Sequence, residues 1–195
     1  MKIALPRLLE TIKIANGTYQ NLLFHQWRID WSRKRLGYRD RIVLKLPQPP
    51  QHGIFRTRVL YSKNIEDIQI LPYTPKKFQT FSFAYDDHID YSLKFANREA
   101  IEKLRQKYLN GKDDILIVKN GLIRDSSIAN IAFWNGESWI TPKTPLLKGT
   151  TRERLLRAGV LVETDIGVDE VEQFQKMAIM NALLGFYEIP NFQLF

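Results

Sequence analysis

Residues 9–15 alternate loosely between apolar and polar and end at Asn16-Gly17, a pair that favours a two-residue hairpin turn. After it, Phe24, Trp27 and Trp31 recur at i, i+3 and i+7, which predicts one face of a helix, stopped by Gly37. The stretches "RIVLKLP" and "GIFRTRVLYS" read as strands separated by the turn-rich "PQPPQHG", and "IEDIQILPY" reads as another, with Pro72 near its end. Residues 74–92 show no clear period and read as a connection between two halves. "NREAIEKLRQKYLNG" predicts a helix with Asn97 as a possible N-cap and Gly111 near its end. Two hairpins follow, turning at Asn120-Gly121 and Asn135-Gly136. A short helix "TTRERLLRAG" comes next, with Thr150 or Thr151 as cap and Gly159 as stop. "VDEVEQF" reads as a further short helix and "KMAIMNALL" as a buried strand. The sum is an α+β chain of two lobes with a boundary near residues 80–90, set at 1–82 for a small first lobe and 83–195 for a larger second one.

Composition narrows what such a chain can do. Of 195 residues, 44% are hydrophobic, enough for a real core, and no run approaches the length of a membrane span. The first residues lack a long apolar stretch and a small-residue cleavage site, which argues against a secretory leader and for the cytoplasm. Cysteine is absent, so disulfides, thiolate catalysis and cysteine metal sites are excluded. The net charge of +8 raises the question of nucleic acid. The basic residues are spread along the chain, however, and the densest run, "WSRKRLGYRDR", falls at the end of a predicted helix, where cations favour the macrodipole. A solvated basic face accounts for this best, an anionic small-molecule site next, and a nucleic-acid surface least.

Three stretches could carry chemistry. Lys94 stands between Leu93 and Phe95 just before a helix. It is either a rim lysine with a wet ammonium or a pocket lysine that acts as a nucleophile. "RDSSIANIAFW" puts Asp125 at a strand end with Asn130 opening the next strand. Asp125 is either a buried carboxylate in need of a partner or the Asx-turn between two hairpins. "LLKGTTRERLL" places a glycine and two hydroxyls at a helix start, which suits a phosphate, although taken alone a plain N-cap is the better explanation. No glycine-rich phosphate loop of the usual spacing occurs. His25, His52 and His88 are too scattered to suggest a metal site, and His25 reads as a packed helix residue.

Taken in order, these stretches resemble the class IV aminotransferase family, the pyridoxal-phosphate enzymes of fold type IV. That family includes branched-chain and D-amino-acid aminotransferases and aminodeoxychorismate lyase. The resemblance rests on Lys94 with Asn97-Arg98, Asp125 five residues before Asn130, Thr141-Pro142, and Gly149-Thr150-Thr151-Arg152. "LLETIKIANG" resembles the family's Phe-Glu-Thr strand and "HQWRIDWSR" its His-x-x-Arg helix. "LKFANREAIEKL" and "IMNALLGFYEIP" are most similar to aminodeoxychorismate lyase. The implied fold is the two-lobed fold type IV, shortened at both ends.

The resemblance also implies roles. Lys94 would form the Schiff base with pyridoxal phosphate, its apolar neighbours holding the ammonium pKa low enough to react. Asp125, standing where the family usually has Glu, would pair with the pyridine nitrogen from one methylene further back. Arg28, Thr150 and Thr151 would hold the phosphate, and Asn181 would close the phosphate end. Arg56, with Arg58 beside it on the same strand face, would bind a substrate carboxylate. The expected reaction is lyase action on 4-amino-4-deoxychorismate, giving 4-aminobenzoate and pyruvate. Transamination of a branched-chain or D-amino acid and a cofactor-binding protein without turnover are the alternatives. The expected partners are a small anionic amine and a second copy of the chain, with no membrane, no metal and no nucleic acid.

Overall fold

The alternating run becomes β1 (Leu8–Ala15), which turns at Asn16 and Gly17 into the short β2 (Thr18–Tyr19). Both turn residues have positive φ, 50° and 72°, the demand that Asn-Gly meets at least cost. The structure is a computed structural model and describes residues 6–195, so the first five residues of the segment read for a leader lie outside it. β1 pairs antiparallel with β3 (Ile54–Tyr61), and β3 with β4 (Ile65–Pro72), giving a sheet in the order β2-β1-β3-β4. On its inner face Leu8, Glu10, Ile12 and Ile14 stand opposite Tyr61, Val59, Thr57 and Phe55.

The helix α1 (Leu22–Arg35) buries a different stripe from the one its apolar period predicts. His25, Arg28, Ile29, Ser32 and Arg33 are buried, while Phe24, Trp27 and Trp31 are only half-buried. The polar stripe goes inward because partners are waiting. Glu10 takes His25 and Arg28, and Arg33 reaches the carbonyls of Ser62 and Lys63 and the carboxylate of Asp40. Arg33 is therefore a buried strut, although the basic run it belongs to reads as a solvated face.

The stretch 41–47, expected as a strand, joins no sheet. Ile42 and Leu44 pack beside Leu8, Ile29, Tyr61 and Leu93. The Gln26 side chain replaces a neighbouring strand: its Nε2 donates to the Ile42 carbonyl at 2.8 Å, and its Oε1 accepts from the Leu44 amide at 2.8 Å.

The chain divides into two compact units. One holds the described residues up to Pro75 together with Leu93–Asn97, and the other holds Lys76–Ser92 and Arg98–Phe195. This differs from the expected boundary at 82 in two ways. Residues 74–92 are not merely a connection, because they contain β5 (Thr80–Tyr85), paired parallel with β6 (Asp114–Lys119) in the second unit. Lys94 goes with the first unit, because Leu93 and Phe95 pack around Leu8 and the Lys94 carbonyl accepts from the Leu9 amide at 2.9 Å.

The second unit has two sheets. The order β13-β5-β6-β7 joins β5 and β6 to β7 (Leu122–Ser126) and β13 (Gln193–Leu194). The order β10-β9-β8-β11-β12 joins β8 (Asn130–Trp134), β9 (Trp139–Pro142), β10 (Leu161–Thr164), β11 (Lys176–Asn181) and β12 (Gly185–Ile189). Phe81, Leu116, Val118 and Ile123 from the first meet Ile131, Phe133, Met177 and Ile179 from the second in one core. The helix α2 (Glu99–Tyr108) buries Ile101 and Leu104, and its cap position is Arg98 rather than Asn97. The helix α3 (Thr150–Arg157) lays Leu155 on Ala132, Leu161 and Met180 of the five-stranded sheet. No described helix is long and apolar enough to cross a membrane.

Replacing Gln26 by Ala removes both bonds to the 41–47 stretch. We expect a loss of about 1–3 kcal/mol in stability, two net hydrogen bonds' worth. Amide exchange at Leu44 should accelerate while the β1–β3 amides keep their protection. Unchanged exchange at Leu44 would show that the apolar contacts alone hold the segment.

Candidate active site

In the first unit, chemistry gathers on the inner face of β1. Glu10 is fully buried. Its Oε1 accepts from Arg28 Nε at 2.8 Å and its Oε2 from Arg28 Nη2 at 2.5 Å, a two-point fork, while His25 Nδ1 lies 2.6 Å from Oε2. Burial alone would raise this carboxyl, but the Arg28 charge and the His25 and Arg28 hydrogen bonds outweigh it and hold the pKa at about 2. Glu10 is thus ionised and can only accept, so His25 Nδ1 carries the proton in this bond. Burial pushes the His25 pKa down against the pull of Glu10, and Arg28 and Lys94 push it further down. The imidazole is therefore neutral near pH 7 and within the electrostatic reach of Lys94. Lys94 itself is half-buried between the core residues Leu93 and Phe95.

Glu10 and His25 were missed as site residues. The signal was present: Glu10 shares its strand face with Leu8, Ile12 and Ile14, and a carboxylate in that register must find partners. His25 and Arg28, three apart, share one helix face.

The outer face of the same sheet carries Arg56 and Arg58, both exposed and two apart on β3. Lys13 stands directly opposite Arg56, and Thr11 opposite Arg58. Like charges directly opposite repel, and among the described residues no acidic side chain pairs with any of the three.

In the second unit, Asp125 on β7 is buried, and its hydrogen-bond donors are neutral. Asn130 Nδ2 donates to its Oδ1 at 2.7 Å, and the Leu147 amide donates to its Oδ2 at 2.9 Å. Burial raises its pKa to about 7, more than these hydrogen bonds and the Arg152 charge lower it. Asp125 is not the turn residue between the hairpins. That turn is made by the Ser126 hydroxyl, which accepts from the Ile128 and Ala129 amides. The cap position of α3 is Gly149, not Thr150 or Thr151, and it supplies no side-chain cap to the first N–H groups. Thr150 and Thr151 are buried at that uncapped start. Asn181 shapes the turn after β11, its Oδ1 accepting from the Leu183 and Leu184 amides at 2.9 and 2.8 Å. Among the described residues no group of three His, Asp or Glu side chains could hold a metal ion.

The profile of the family described as amino-transferase class IV matches residues 91–192. An uncharacterized protein of Haemophilus influenzae (strain ATCC 51907 / DSM 11121 / KW20 / Rd) is 36% identical over 185 residues, covering 91% of this chain and 98% of that protein. The chain belongs to the amino-transferase class IV family. Class IV members are pyridoxal-phosphate-dependent enzymes, lyases or transaminases. Among solved structures, a putative 4-amino-4-deoxychorismate lyase from Haemophilus somnus 129PT is 30% identical with a TM-score of 0.82, covering 95% of this chain and 100% of that one. A putative amino-acid aminotransferase from Mesorhizobium loti, 21% identical, shares the fold with a TM-score of 0.80 over 97% of this chain and 99% of that one.

The class IV cofactor fits the residues present. Asp125 is a buried carboxylate without a cationic hydrogen-bond partner, and a protonated ring nitrogen supplies one. The start of α3 offers uncapped N–H groups beside two hydroxyls, the donors that a phosphate takes.

Asp125 also sets a pH dependence for the chain without cofactor. Its folded pKa lies above the ordinary 3.8. The folded chain therefore keeps a proton that the unfolded chain has released, and the stabilisation is full below pH 3.8 and lost as pH rises through about 7. Glu10 acts in the opposite sense, contributing above its ordinary 4.5 and losing its contribution as pH falls towards 2. Whatever constant offset Asp125→Asn carries, the variant should gain on wild type by a few kcal/mol, on the order of the pKa difference, between pH 4 and pH 8. Urea unfolding at both pH values checks this, and a constant difference would mean that Asp125 is ionised throughout.

Proposed function

We propose that the chain is a pyridoxal-phosphate-dependent lyase that splits 4-amino-4-deoxychorismate into 4-aminobenzoate and pyruvate. The observation that carries this reading is the whole-length likeness to the Haemophilus somnus protein named for that activity.

In this reading Lys94 would hold the cofactor until the substrate amine takes its place, and the freed Nζ would move the proton from the amine-bearing ring carbon. Bound there, the cofactor supplies the electron sink for the charge left behind. Asp125 holds the ring nitrogen's proton. Thr150, Thr151 and the N–H groups of α3 would hold the phosphate, and Asn181 and Arg28, whose fork Glu10 fixes, are the further proposed phosphate ligands. Arg56 and Arg58, proposed for the substrate carboxylates, stand on the opposite face of the first sheet from the Glu10–Arg28 pair, and the fold does not bring them to that side. The ring carbon loses its proton, the C–O bond to the three-carbon fragment breaks, and the ring becomes aromatic. The two products together contain the atoms of the substrate, so no keto acid and no oxidant is consumed. The same reading has the chain act as a homodimer in the cytoplasm, in folate biosynthesis.

A transaminase acting on a branched-chain or D-amino acid is the second reading, favoured by the fold shared with the Mesorhizobium loti protein. A cofactor-binding protein without turnover is the third, favoured by the short arm of Asp125.

Purified protein mixed with pyridoxal phosphate should turn yellow, and borohydride should fix the cofactor covalently on wild type but not on Lys94→Ala. With 4-amino-4-deoxychorismate alone, wild type should release pyruvate. Product formation only when a keto acid is added would replace the lyase by the transaminase. A fixed cofactor with neither activity would leave the third reading.

A further inference from the structure

Asn130 touches three parts of the second unit at once. Its Nδ2 donates to Asp125 Oδ1 at 2.7 Å and to the Leu147 carbonyl at 2.8 Å. The Leu147 amide returns a bond to Asp125 Oδ2, which closes a ring of three residues. The carboxamide oxygen of Asn130 fills the space beside Gly149, so that a Cβ added at Gly149 would be driven into it. Gly149 has φ −71° and ψ 144°, values any residue adopts, so it is glycine for space and not for conformation. It is also the residue from which α3 starts.

We propose that Asn130 is a positioning residue that locks the Asp125 carboxylate and the start of α3 into one rigid piece. This rests on the functional reading above, in which those two groups hold opposite ends of one cofactor. A single carboxamide then fixes the spacing between the acceptor for a ring nitrogen and the donors for a phosphate, and Gly149 exists to admit it. With a carboxylate arm one methylene shorter than the family's glutamate, that spacing has little slack.

Two measurements test this. The first needs no cofactor. Asn130→Ala, Gly149→Ala and the double variant are compared by urea unfolding. Gly149→Ala should lower the midpoint at least as much as Asn130→Ala, because the new Cβ evicts the carboxamide. In the Asn130→Ala background the same change should cost nothing, because the carboxamide is gone. If Gly149→Ala alone is insoluble and Asn130→Ala restores it, the coupling is shown in a stronger form. Additive losses, a harmless Gly149→Ala, or a double variant that also fails to fold would overturn the proposal.

The second measurement is binding. Asn130→Ala should weaken pyridoxal, which lacks the phosphate, and inorganic phosphate, each by about tenfold, the loss of roughly one hydrogen bond to a charged group. Weakened pyridoxal with unchanged phosphate would mean that Asn130 serves Asp125 alone, and would overturn the two-ended role. If wild type binds neither probe, the functional reading fails, and the unfolding cycle still decides whether Asn130 is the strut.

Discussion

A carboxylate taken out of water must meet a positive charge or keep its proton, and two of the buried carboxylates among the described residues, Glu10 and Asp125, answer that demand in opposite ways. Glu10 meets Arg28 through two bonds and His25 through a third, and its pKa falls to about 2. Asp125 meets an amide and a carboxamide, and its pKa rises to about 7. The first is a completed structural pair whose loss would leave an uncompensated charge in the interior. The second is poised, half-ionised near pH 7 in the chain alone and favoured in its ionised form by an arriving cation. Much of the surrounding structure follows from these two demands. α1 turns its polar stripe inward because Glu10 is there to receive it, and β7, β8 and the Leu147 loop are tied together around Asp125.

The turns and hairpins were legible because positive φ is a local demand. Asn16-Gly17 and Asn120-Gly121 both adopt it, at φ 50°, 72°, 53° and 72°. β5 was not legible. Phe81 and Ala84 are both fully buried, and a strand covered on both faces and flanked by parallel neighbours shows no alternation. The 41–47 stretch failed for the opposite reason. It has a strand's composition, but its backbone bonds run to the Gln26 side chain, a partner that no local pattern announces.

The candidate site divides along the same line. Lys94 and Asp125 stood out because each is a charged residue in apolar or strand-end surroundings, and the joint spacing of motifs gave them roles. The face that Glu10 occupies could have been read from the alternation of β1. That His25 is a partner rather than packing could not, since it depends on α1 crossing that strand face. Asn130 was visible only as a motif partner of Asp125. Its bond to Leu147, 17 residues away, and its claim on the space at Gly149 are products of the fold.

The central claim is that Asp125 is held ready for a cation that the chain does not itself supply. Its carboxyl carbon can be followed by 13C-detected NMR across pH 4–9, first for the chain alone and then with pyridoxal phosphate bound. The account predicts a titration near pH 7 in the chain alone, and a carboxylate that stays ionised throughout that range once the cofactor is present. A carboxyl that titrates near 3.8 in both samples, or one whose titration the cofactor leaves unmoved, would contradict it.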